Sequence, residues 1–62
     1  MKVPEHAYNL PFCVVAKSPK EKVPHVAEFK NPEEMHNYFD GLKPEVSAYA
    51  LNYGMTLREQ NV

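Results

Sequence analysis

In 62 residues the chain has one cysteine, no tryptophan, two glycines and a single arginine, and each scarcity excludes something. One cysteine, Cys13, cannot close an intramolecular disulfide, so a disulfide-stapled secreted scaffold is ruled out and a reduced setting is the simpler reading. With Gly41 and Gly54 as the only glycines, there is no glycine-rich loop to cradle a phosphate. A net charge of −1 argues against a protein whose main task is to neutralise a nucleic-acid backbone. No apolar run approaches the roughly 20 residues of a membrane span. The opening "MKVPEHAYNLPF" lacks the apolar stretch of a secretory signal. The expected address is the cytoplasm, or the host cytoplasm for a viral chain. So short a chain beginning at methionine suits a small bacterial or bacteriophage accessory protein.

Length sets the next bound. A chain of this size has room for a single domain, residues 1–62, and buries only about 60% of the surface its unfolded form exposes. Stability must then come from close packing or from a partner, since no disulfide is available. The signs of charge are mildly segregated: residues 1–30 carry five lysines and three glutamates, whereas residues 31–62 carry Lys43 and Arg58 against five acids.

What is present is apolar and well punctuated. Residues 1–10, bounded by Pro4 and Pro11, read as an irregular arm in which Tyr8 and Leu10 can pack down. "FCVVAK" (12–17) holds five consecutive apolar residues and reads as a strand that is apolar on both faces, because alternate side chains point opposite ways. "KSPKEK" (17–22) is a polar loop, and "VPHVAEFK" (23–30) a second strand that lies at an edge or begins after Pro24, which cannot donate to a ladder.

In "NPEEMHNYFDGLKP" (31–44), Asn31 is placed to cap, Pro32 to open the helix and Glu34 to complete a capping box. Met35, Tyr38, Phe39 and Leu42 fall on one face. Gly41 is placed to end the helix in a left-handed conformation before Pro44. The final segment reads best as one strand with Tyr49, Leu51, Tyr53, Met55 and Leu57 on one face. A turn or bulge at Asn52–Gly54, or a short helix, is the alternative. The expected fold is α+β: a three-stranded ββαβ sheet, antiparallel or mixed, with the first strand central and one helix on one face.

Chemistry-bearing residues are few. His6, Cys13, His25 and His36 show no paired ligand spacing. Glu33 and His36 have the Glu-x-x-His spacing of carboxylate-bridged metal sites, but such sites draw on several helices. His36 beside Glu33 or Asp40 reads as a solvated helix surface rather than an acid–base pair. No catalytic, metal or cofactor residue is expected, and neither is an enzyme.

The feature left over is the apolar surplus. A helix covers one sheet face, and Val15, Val26, Tyr49, Leu51 and Tyr53 remain as a tyrosine-rich face. That face is covered by the arm, or it serves as a binding surface for another protein or a second copy of the chain. The expected function is therefore protein–protein binding through this face or an edge strand. The alternative is nucleic-acid binding by Lys17, Lys20 and Lys22 with nearby aromatic rings.

Overall fold

In the structure, a computed structural model describing residues 1–62, the two-faced strand lies inside a sheet. β1 (Phe12–Lys17) pairs antiparallel with β2 (His25–Phe29) on one side and with β3 (Ser47–Asn52) on the other. β4 (Met55–Gln60) pairs antiparallel with β3 and completes the order β2-β1-β3-β4. The sheet is thus four-stranded and antiparallel throughout, which corrects the three-stranded expectation. β2 and β3 run the same way with β1 between them, and α1 (Pro32–Asp40) crosses from one to the other over one face.

The fourth strand exists because the last segment reverses at Asn52–Met55. Tyr53 (φ 46°) and Gly54 (φ 84°) both adopt positive φ, the backbone signature of a two-residue type I′ hairpin. This separates the five residues expected on one face. Tyr49 and Leu51 stay together on β3, Tyr53 sits in the turn, and Met55 pairs with Asn52 on β4. A register shift opposite Ala50/Leu51 inserts Leu57 as an extra residue between Thr56 and Arg58, so β4 does not keep strict alternation.

α1 starts at the expected cap, but the Glu34 carboxylate returns no bond to the Asn31 N–H, so the expected capping box is only half formed. The Asn31 side chain accepts a hydrogen bond from the Glu34 N–H at 2.9 Å, and Pro32 occupies the first turn. Its end differs from expectation. Gly41 has φ −83°, in the right-handed region, because its N–H bonds to the carbonyls of Asn37 and Tyr38 and tightens the last turn. The stop comes instead from Pro44 and a turn closed by Val46 N–H on the Lys43 carbonyl at 3.1 Å.

The helix covers one face. Met35 and Phe39 bury themselves against Val14, Ala16, Ala48 and Ala50, with Phe12, Phe29, Leu42 and Val46 around them. Ala16 stands directly opposite Ala48, and Val14 opposite Ala50, so the sheet offers small side chains where the helix offers large ones. Tyr38 lies outside this core at 43% exposure, its ring 5.2 Å from that of Phe29. Arg58 of β4 reaches under the helix end, 2.6 Å from Asp40 and 4.5 Å from the centre of the Phe39 ring.

The second face has its own cover. Residues Glu5–Asn9 of the arm, expected to be irregular, form a 3-10 turn, η1. Ala7 packs on Cys13, Val15 and Leu51, with Val3, Leu10, Val26 and Tyr49 at the margin. No helix is long and apolar enough to cross a membrane.

Replacing Asn31 by Ala removes the only side-chain bond on the first turn of α1. Loss of about 1 kcal/mol of unfolding free energy is expected, with Asn31→Asp retaining most of it. Urea titration of the three proteins compares them, and an unchanged midpoint for Asn31→Ala would show that the cap carries no stability.

Candidate functional site

The five residues expected to form an apolar face divide into two groups. Val15 (0% exposed) and Leu51 (2%) lie beneath the arm, and Val26 and Tyr49 are half-buried at its edge. Cross-strand register does bring four of them together: Val15 stands between Val26 and Tyr49, with Leu51 two residues along β3 from Tyr49. Tyr53 is different. It projects from the β3–β4 turn with 65% of its surface exposed.

Tyr53 is also the residue whose backbone is least suited to its side chain. Left-handed φ costs an L-residue roughly 1 kcal/mol, and type I′ turns favour Asn, Asp and Gly at this position. Its N–H donates to the Leu10 carbonyl at 3.0 Å, which helps to hold the conformation. The neighbouring Asn52 amide donates to the Pro11 carbonyl at 2.7 Å. The turn therefore both reverses the chain and anchors the end of the arm.

Gly54 completes this arrangement. A Cβ built there would fall 2.4 Å from Cδ1 of Tyr8, so the Tyr8 ring lies directly on the glycine. Between arm and hairpin a cleft of about 290 Å³ remains, lined by Met1, Val3 and Tyr8 on one side and Tyr49, Leu51, Gly54 and Thr56 on the other. This is just below the roughly 300–1,000 Å³ of common small-molecule pockets, and is a size that admits one or two side chains. Tyr53 and Met55 flank the turn with 65% and 60% exposure, and Tyr8 is half-exposed. Sequence pattern read Met55 as part of the row begun by Tyr49 and Tyr8 as an arm residue that packs down, and placed neither at a hairpin end. The "NYG" triplet was the signal for the turn that brings Met55 there.

The other residues singled out make local contacts or none. Lys17 turns its ammonium onto the Ser18 carbonyl at 3.4 Å, while Lys22 is exposed. Lys20 lines a shallow recess of about 240 Å³ shared with Ser18, Pro19, Lys43, Glu45 and Val46. The loop is pinned by Glu21, which accepts from the Ser18 N–H at 3.2 Å and pairs with His25. The His25 contact first, and the Ser18 N–H next, hold the Glu21 carboxyl below its usual range. No three of the His, Cys, Asp and Glu side chains converge as a ligand group. Burial, aided by the nearby Glu28 charge, pushes the Cys13 thiol up, and its Sγ contacts the Ala7 carbonyl at 3.7 Å.

Compared with protein-family models, curated proteins and solved structures, the chain has no match.

Gly54→Ala combines left-handed strain with the collision against Tyr8, so a loss of about 1–3 kcal/mol is expected. In a Tyr8→Ala background the collision disappears and only the strain remains. A double-mutant cycle by urea unfolding should therefore return a coupling of about 1 kcal/mol. Additive losses would mean that Tyr8 does not rest on Gly54.

Proposed function

We propose that this is a non-enzymatic protein that acts by binding another protein, with the β3–β4 hairpin end as its contact surface. Tyr53 is the central anchor, with Met55, Tyr8 and the cleft beside them completing the surface. The observation that carries this reading is the state of Tyr53. Its backbone sits in a conformation that disfavours tyrosine, yet most of its ring is exposed, so the monomer gains little packing in return. Local strain that the side chain's own packing does not offset is a pointer to function. Tyrosine is also among the residues that dominate interface energetics, since it offers a large rigid surface at low entropic cost.

The mechanism is occupancy. A side chain of the partner enters the cleft while its surface covers Tyr53 and Met55, and no bond is made or broken. Val15 supports the surface from below, while Leu51 forms part of the cleft wall that meets the partner. The net charge of −1 favours this reading over nucleic-acid binding, which draws on a continuous basic track.

Tyr53→Asn separates stability from binding. It creates an Asn-Gly turn and should raise unfolding free energy by about 0.5–1 kcal/mol. Binding should weaken by about 2 kcal/mol or more if Tyr53 is a hot spot. Quantitative affinity capture with the full chain, Tyr53→Asn and Lys22→Gln as a surface control provides the comparison, alongside sedimentation equilibrium for self-association. A partner, or a dimer, lost with Tyr53→Asn and kept with Lys22→Gln supports the proposal. Binding that is indifferent to Tyr53→Asn, or that tracks the lysines and collapses with salt, overturns it.

A further inference from the structure

The geometry points to residues 1–9 as a strap that opens on its own while the sheet and α1 remain folded, and so gates the sheet's second apolar face. The two faces of β1 are held by different means. On one, α1 is covalently continuous with β2 and leads into β3, and its Met35 and Phe39 are almost wholly buried. On the other, the only arm residue fully buried is Ala7, a single methyl group, with Val3 and Leu10 half-exposed beside it. The strands and helices are built on 25 backbone hydrogen bonds. The bonds from the Tyr53 N–H to Leu10 and from the Asn52 amide to Pro11 fix the root of the arm. Beyond that root, residues 1–9 are hydrogen-bonded to the rest of the chain by one weak contact, the Cys13 thiol on the Ala7 carbonyl at 3.7 Å.

Segments with little buried apolar surface and few bonds to the body open locally at lower free energy than global unfolding. Here the hinge is Leu10–Pro11, where the extended chain leaves η1 (Leu10 φ −93°, ψ 136°) and is held on both sides. Opening uncovers Cys13, Val15 and Leu51, and joins them to Val26 and Tyr49 in one apolar row across β2, β1 and β3. The row is closed off in the resting protein and becomes available only by displacing the strap. This inference does not depend on the hairpin end binding a partner.

Cys13, the only thiol in the chain, reports the opening directly, because a buried thiol held in its neutral form reacts only when uncovered. The experiment is labelling of the full chain with a disulfide reagent such as DTNB across urea concentrations below the unfolding transition. Circular dichroism follows the fold in parallel. The expected result is labelling in native conditions with a shallow urea dependence, joining the steep line of global unfolding only at higher urea. Tyr8→Ala, which removes the arm's contact with Gly54, should speed the native-limb rate by about tenfold. Asn31→Ala, which weakens the helix side, should leave that limb within about twofold of the unmodified chain. Labelling that lies on the global-unfolding line at every urea concentration overturns the proposal. So does acceleration by Asn31→Ala in proportion to its loss of global stability.

Discussion

Burial of β1 on both faces is the constraint on which the rest of this small protein depends. Cys13, Val14 and Val15 are completely buried, and in a strand that is achieved only if two separate layers are supplied. A chain of 62 residues has length for one helix of nine residues, and the second layer has to come from whatever chain remains. The stretch before β1 supplies it, folding back as a five-residue 3-10 turn. The result is two unequal cores divided by a single sheet.

The fastenings show how so small a structure is kept in register. One tight turn closes the β3–β4 hairpin and receives the end of the arm. The opposite end of β4 is tied to the loop after α1, where the Gln60 amide donates to the carbonyls of Lys43 and Val46 at 2.9 Å each. The Asn61 amide adds bonds to Pro44 and Val46. These give side-chain partners to carbonyls of the loop that follows α1. Arg58 adds a link in which one guanidinium both lies over the Phe39 ring and meets Asp40, although the ion pair is substantially exposed and contributes modestly.

Elements governed by local chemistry were legible in the sequence. The Asn31–Pro32 start of α1, the position of Met35 and Phe39 in the core, the apolar β1 and the start of β2 after Pro24 all follow from capping, periodicity and the missing proline N–H. The fourth strand was harder to read, because tyrosine is a poor residue for the left-handed position that Tyr53 occupies. Strict alternation over residues 49–57 therefore looked like one continuous strand. Gly41 misled for a related reason: glycine is permitted in the left-handed region but not confined to it. For the candidate site, pattern placed Val15, Val26, Tyr49 and Leu51 on one face, as the register has it. It did not resolve which of the two layers, arm or partner, would lie over them, since that depends on a tertiary contact made by one alanine. Met55 was read as part of the alternating row and Tyr8 as an arm residue; the turn carries the first, and the folded-back arm the second, to the hairpin end.

The alanines of the helix-facing sheet have a consequence for how the chain can vary. Ala16, Ala48 and Ala50 form a shallow floor, and Met35 and Phe39 fill the space above it. Total volume is then conserved across the interface rather than at any one position, because an added methylene on the floor costs about 1–3 kcal/mol unless something above it shrinks. Size can pass from α1 to β3 or back, but neither surface can grow alone. Substitutions in these two elements are tied to each other, although more than a dozen residues of chain separate Met35 from Ala50.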